Sequence, residues 1–411
     1  MREDIKSRIK EVRNGEVPAE YKKVHPYVVP KDWSVRKLGS ITKRTSRPNK
    51  DGRERPAYSI NNRKGFVPQS EQFEEGSYQD LDKSAYKIVR KGEFAYNPAR
   101  VNVGSIGRLR DKDEVIVSSL YVCVSVDDKV DGEFFDAWTK TRDFYKETVR
   151  NTEGSVREYL FYENFANMRI PLPPLAEQQK IAEILATCDR VIALKQQLLE
   201  EKRRQKQWLM QKLLDPNSGV RLPGCEGSEW YTVTLDDYCD CLDTLRKPVN
   251  AQQREKMQGS YPYWGANSIQ GYVNDYLFDE EIVLLAEDGG CFDDFKTKPI
   301  AVYVNEKCWV NNHAHILRAK NGNTKLLYFV LVHKDIRNYI NGTTRSKLTQ
   351  GDMMSISITL PKNPQEQKRL IDVLTACETE IELFEQELDV WQQKKKALMQ
   401  FLLTGLVRVN A

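Results

Sequence analysis

The chain has 411 residues, more than one ordinary globular domain holds and enough for two or three. Hydrophobic residues at 40% and charged residues at 30% exclude a disordered or fibrous chain, and a net charge of +4 is too mild to demand a nucleic-acid partner by itself. No run of 18 or more apolar residues occurs, which excludes a membrane-spanning helix.

The opening MREDIKSRIKEVRNG is charged throughout and lacks the apolar centre of a signal peptide, so a cytoplasmic protein is expected. Residues 1–30 read as a helical lead-in. Residues 31–170 then hold strand-like runs such as EVIVSSLYVCVSV and read as a mixed α/β domain. From Lys31 to Ile60 there are nine basic residues against three acidic ones, a local net of +6, and Pro48, Gly52 and Pro56 break the stretch into a loop suited to phosphates. Residues 171–215 read as a long helix, 216–224 as a linker, 225–360 as a second mixed domain containing EIVLLAEDGG, and 361–411 as a second long helix with a tail. The eight cysteines are scattered. The close pair, Cys239 and Cys241, lacks Cys-x-x-Cys spacing, so buried, reduced cysteines are expected.

The two helical stretches are copies. At an offset of 189, Glu177–Leu214 and Glu366–Leu403 share 14 identities in 38 positions, including the Glu-Gln at the start, Cys188 with Cys377, and Leu-Met-Gln near the end. At offset 188 the match extends upstream through Gly154 with Gly342, Arg157 with Arg345 and Leu160 with Leu348. A weaker echo around Trp33 and Trp230 opens each half. Leu370, Leu374, Cys377, Ile381, Phe384, Leu388, Trp391, Lys395, Leu398 and Leu402 alternate steps of four and three, the seam of a coiled coil. The first copy keeps that seam with Lys195, Lys202 and Lys206 in it, whose stems can cover apolar surface. Such helices span roughly 57 Å. Two helices distant in sequence with matching seams pack most easily antiparallel, so the expected fold class is α+β: two mixed α/β domains alternating with two helices paired as an antiparallel coiled coil.

These features resemble the specificity subunits of type I restriction-modification systems over nearly the whole chain. IPLPPLAEQQKIAEIL is similar to that family's helix entry, LLTGLVRV to its end, and GEVPAEYKKVHPYVVPKDW to the lead-in of its first domain. FAYNPARVNVGSIG, YPYWGANSIQGYV and WVNNHAHIL resemble segments of its target-recognition domains. In the second helix entry Lys362 and Asn363 stand between Pro361 and Pro364, a departure from the pattern. The resemblance implies a non-catalytic protein that reads a bipartite asymmetric double-stranded DNA target with two target-recognition domains. It also implies docking of two modification subunits, which are S-adenosylmethionine-dependent adenine methyltransferases, and indirectly of restriction subunits. No cofactor is expected on this chain; S-adenosylmethionine belongs to the modification subunits and ATP and magnesium to the restriction subunits.

Arg and Lys suit guanine or phosphate, and Asn or Gln suits adenine. The first-head candidates are therefore Lys43, Arg44, Arg47, Lys50, Arg53 and Arg55 for the DNA backbone, with Asn97, Arg100, Asn102 and Arg108 for closer reading. The second-head candidates are Asn267, Asn311, Asn312, His313 and His315. Arg157 and Arg345 fit a shared structural or phosphate role. Catalytic motifs fail: Asn97-Pro98 continues with Ala99 and Arg100, Asp294-Phe295-Lys296 is too short a pattern, His313 and His315 lack an evident third metal ligand, and no phosphate-binding Gly-x4-Gly-Lys loop occurs. The competing readings are a self-contained methyltransferase or nuclease, and a solitary relative or scaffold that competes for modification subunits.

Overall fold

The computed structural model describes residues 3–51, 53–72, 83–153, 159–342 and 346–409. The chain forms two compact units, Met1–Lys195 with Glu387–Ala411, and Gln196–Gln386, so the boundary between them cuts both long helices.

In the first unit the lead-in is helical only over Glu3–Arg13. Gly15, at a φ of 83°, turns the chain, and Pro18 precedes an antiparallel hairpin of Tyr21–Val24 with Tyr27–Pro30, which corrects the expectation of helix through residue 30. An antiparallel four-stranded sheet runs in the order Ile106–Arg108, Phe94–Tyr96, Val122–Val126, Thr42–Thr45. A five-stranded sheet runs Arg47–Pro48, Lys87–Arg90, Glu114–Val117, Ala57–Asn61, Gly65–Pro68, with Glu114–Val117 parallel to Ala57–Asn61. The run read from the sequence as strands supplies one strand to each sheet. The core gathers Trp33, Phe94, Tyr96, Phe134, Phe135, Trp138 and Phe165, all essentially inaccessible.

In the second unit a four-stranded antiparallel sheet runs Cys239–Cys241, Ala314–Ala319, Ile282–Ala286, Ala301–Val304. A three-stranded sheet runs Ile269–Val273, Gln258–Trp264, Trp309–Val310. Ile282–Ala286 is buried at every position, as a strand covered on both faces must be.

The repeat is visible in how each head meets its long helix. Ser34–Lys37 pairs antiparallel with Arg169–Leu172 just ahead of the helix Leu175–Leu213, and Trp230–Thr234 pairs with Ser357–Pro361 just ahead of the helix Pro364–Leu403. The copied Glu-Gln explains itself there. Gln178 is buried; its Nε2 donates to the Pro173 carbonyl (2.9 Å) and its Oε1 accepts from the backbone N–H of Asp131 (2.9 Å), the residue that caps the helix Gly132–Thr139. Gln367 repeats the bridge, donating to the Pro361 carbonyl (2.8 Å) and accepting from Asn323 Nδ2 (2.5 Å), where Asn323 caps the helix Thr324–Leu331. Glu177 accepts from Trp33 Nε1 (2.9 Å) and from Arg408 (2.8 Å), whereas Glu366 Oε2 and Trp230 Nε1 have no such partner among the described residues. Gly405, at a φ of 72°, ends the second helix, and a side chain there would collide with Pro30 at 2.6 Å.

The lysines that interrupt the apolar seam are paired rather than merely stretched over it. Lys195 meets Glu387 (2.8 Å), Lys202 meets Glu380 (2.7 Å), Lys206 meets Glu378 (2.8 Å) and Lys395 meets Asp189. Within the first unit Ile181 and Leu185 share a core with Leu402 and Leu403, and within the second Leu213 shares one with Leu370.

Replacing Gln178 by Ala strands a buried carbonyl and a buried N–H. Thermal unfolding should show a loss of about 1–3 kcal/mol; an unchanged transition would mean the bridge is dispensable.

Candidate nucleic-acid interface

In the first head, the edge strand Gly65–Pro68 and its neighbour Ala57–Asn61 meet at a hairpin tip beside an open cleft of about 670 Å³. Asn62, Arg63, Lys64, Asn102, Arg108, Arg110, Lys112 and Lys140 line it, with Glu71, Asp111 and Asp136 as the acids. Several of these cations are already neutralised. Arg108 bonds Glu133 (2.5 Å), Arg110 bonds Glu133 (2.5 Å) and Asp136 (2.7 Å), and Lys140 bonds Asp136 (2.6 Å). Burial pushes the Asp136 carboxyl up, yet the Lys140 and Arg110 cations outweigh it and hold the group below its ordinary range.

The residues expected to face DNA divide into two groups. Lys43, Lys50, Arg53 and Arg100 are exposed, and Asn102 is half-buried in the cleft wall. Arg44 is exposed with a long contact to Glu163 (3.4 Å). Arg47, by contrast, forks onto Glu93 (2.5 and 2.8 Å), and Arg55, whose side chain is 7% exposed, is spent on Asp51, Glu114 and Asn49. Arg108 also donates to the Gly92 carbonyl (3.3 Å), and Asn97 Oδ1 accepts from the Ala99 N–H (3.0 Å) in a local turn. These four side chains build the head. Arg157 lies outside the described residues, as does Arg345.

In the second head, Asn311, Asn312 and His313 line a shallow recess of about 420 Å³ with Arg254, Gln270 and Asp288. Asn267 joins its rim by donating to the Gly289 carbonyl (3.0 Å). His313 is 44% exposed, with Nδ1 2.9 Å from Asp288. His315 is a correction: it is 1% exposed, Nδ1 lies 2.5 Å from Asp243, and Nε2 donates to the Leu348 carbonyl (2.9 Å). It lies in the strand Ala314–Ala319, which is buried on both faces at this point, and neither ring nitrogen is left for a base. By distance alone Asp243, Glu287 and His315 could hold a cation, but Arg246 and Lys347 already supply the positive charge there, at 2.7 Å and 3.2 Å from Glu287. Burial raises both carboxyls; for Asp243 the His315 and Ile316 N–H bonds, and for Glu287 the Arg246 and Lys347 bonds, outweigh it and hold each below the usual carboxylate range.

The sequence reading missed Asn62, Arg63, Lys64, Arg110, Lys112, Lys140, Arg254 and Gln270. A signal existed for the first three: Asn-Asn-Arg-Lys-Gly between alternating apolar residues is a hairpin signature, and the tally of basic residues stopped at Ile60.

The chain thus holds two α+β heads with unlike polar recesses, each joined to one copy of a repeated helix. The chain belongs to the family of the type I restriction modification DNA specificity domain, which it matches over residues 30–202 and 227–391. It is 35% identical over 158 residues to a provisionally named type I restriction enzyme specificity subunit of Haemophilus influenzae, a match covering 38% of this chain and 40% of that one. It is 23% identical over 428 residues to the MjaVIII specificity subunit of Methanocaldococcus jannaschii, covering 95% and 96%. The fold is similar to the type I restriction-modification S subunit of M. genitalium (TM-score 0.58, 14% identity, covering 94% of this chain and 98% of that one). It is likewise similar to a chain from a study of type I system assembly and conformational transition (TM-score 0.60, 16% identity, 93% and 100%). No helix among the described residues is long and apolar enough to cross a membrane.

The depressed carboxyls of Asp243 and Glu287 contribute stability that is complete above their unfolded values near pH 4 and is lost as pH falls through the lower folded values. Asp243→Asn should therefore lower stability at pH 7 by about 3 kcal/mol and converge with wild type in acid, as followed by circular dichroism from pH 7 to 2. Equal acid limbs would exclude this network as the titrating element.

Proposed function

We propose that this chain is the DNA-reading specificity subunit of a type I restriction-modification complex and has no catalysis of its own. Each head reads one half of a split, asymmetric double-stranded target. The two long helices pair as an antiparallel coiled coil that fixes the unread gap. The chain docks two modification subunits, which bring S-adenosylmethionine and methylate adenine, and through them the restriction subunits. Its surroundings are the cytoplasm.

The observation that carries the reading is the contrast between conserved helix entries and divergent recesses within one chain. Matching entries, built on Gln178 and Gln367, suit two copies of one partner, whereas the Arg- and Lys-rich cleft and the Asn- and His-lined recess suit different base sequences. Leu194 and Leu383 support the repeated partner: they are equivalent in the repeat, off the seam, and each 59% exposed. The antiparallel pairing is supported by the order of the lysine contacts, since Asp189, Lys195, Lys202 and Lys206 meet Lys395, Glu387, Glu380 and Glu378 in turn. For the DNA backbone the exposed Lys43, Lys50 and Arg53 remain the proposed contacts, with Arg100, Asn102, Asn312 and His313 nearer the bases.

Charge reversal tests the pairing: Lys202→Glu should destabilise by roughly 0.5–1 kcal/mol and Glu380→Lys in the same chain should restore most of it, whereas additive losses would contradict the pairing. The function is tested by expressing the chain with its cognate modification subunit in a host free of other methylation and mapping methylated adenines. A split motif that changes in one half when residues 31–170 are exchanged is expected. Unmethylated DNA despite a soluble complex and ample methyl donor would sink the reading.

A further inference from the structure

The hairpin tip Asn62-Arg63-Lys64 is built as a rigid projection. Asn61 and Gly65 pair across the last register position, so three residues make the turn, and Gly65 sits at a φ of 71° as such a turn requires. Asn61 Oδ1 accepts from the backbone N–H groups of both Arg63 (2.9 Å) and Lys64 (3.1 Å), which locks the tip from within.

The neighbouring loop then braces it from outside. Ser105 Oγ donates to the Ile60 carbonyl (2.8 Å). Gly104 approaches so closely that a side-chain carbon there would lie 3.1 Å from the Asn62 carbonyl, and one on Gly107 would lie 3.2 Å from Gly65 Cα. Two glycines at one contact let backbone meet backbone.

The tip is also one place where positive charge is left over. Around the cleft Arg108, Arg110 and Lys140 are bound to Glu133 and Asp136, and on the same sheet Arg55 and Arg90 share Glu114. Asn62, Arg63 and Lys64 are exposed, and among the described residues Arg63 and Lys64 have no carboxylate partner. An exposed guanidinium held on a stiff two-stranded ribbon at a sheet edge has the dimensions to enter a DNA major groove, where its fork matches guanine O6 and N7.

We propose that Asn62-Arg63-Lys64 is the base-reading element of the first head, with Arg63 reading a guanine, Asn62 an adjoining base and Lys64 a flanking phosphate. This rests on the DNA-reading function proposed above and assigns it to residues. The test uses the full chain with its modification subunit and three variants, Arg63→Ala, Arg63→Lys and Lys64→Ala, with methylation mapping and fluorescence-anisotropy titration of duplexes carrying the mapped motif or each single-base change. Unaltered melting temperatures show that these exposed substitutions leave the fold intact.

Arg63→Ala should relax one position in one half of the motif, with discrimination there falling roughly tenfold or more, while the other half is untouched. Arg63→Lys, which keeps the charge but loses the fork, should relax the same position yet retain affinity for non-specific DNA. Lys64→Ala should weaken all duplexes alike and reduce the salt slope by about 1. A wild-type split motif that every variant preserves base for base would overturn the hairpin assignment and leave the two-headed reading standing. Uniform weakening by Arg63→Ala without any change of motif would also overturn it, reducing Arg63 to a phosphate contact. Absence of any split motif from the wild-type complex would overturn both.

Discussion

A buried carboxamide at the start of each long helix is the constraint on which the rest depends. Gln178 and Gln367 each tie the last strand of a head, through a proline carbonyl, to the residue that caps a head helix. A buried amide with its donor and acceptor both engaged fixes position and orientation together, because moving either partner leaves a polar group unpaired. The head is thereby welded to the helix at one turn. The first junction adds a second tie, with Arg408 from the chain's end bonding Asp32 and Glu177.

The same economy governs charge. In the first head several cations are neutralised by carboxylates remote in sequence: Arg47 by Glu93, Arg55 by Glu114, Arg110 by Asp136. Such pairs cross-link segments distant in sequence and take those particular cations out of the usable positive surface. In the second head Asp243, Arg246, Glu287 and His315 are consumed in one interior network, and the recess presents the amides of Gln270 and Asn312 beside Arg254, Asp288 and His313.

The helices, their entries and the two-domain alternation were legible in the sequence because they depend on local period and on a copied segment. The seam lysines read as stems covering apolar surface, because their acids on the other helix could not be paired by inspection. The interface was less legible. Arg55 looked like a phosphate ligand because Glu114 lies 59 residues away, and His315 looked like a partner of His313 on one strand face because the strand's start at Ala314, which leaves His313 outside it at the rim, is not evident from the sequence. The hairpin tip escaped for the opposite reason: its turn signature is plain, but only the bracing by Gly104 and Gly107 marks it as stiff. Sequence shows which side chains are charged; the fold decides which are still available.

The most direct test of two heads reading one split site is selection of randomised duplex DNA by the purified complex of this chain with its modification subunit, at fixed salt, followed by sequencing. The account predicts two short enriched blocks of unlike sequence, separated by a gap of constant length and random composition. A single contiguous block, two identical blocks, or a gap that varies freely among the selected molecules would contradict it.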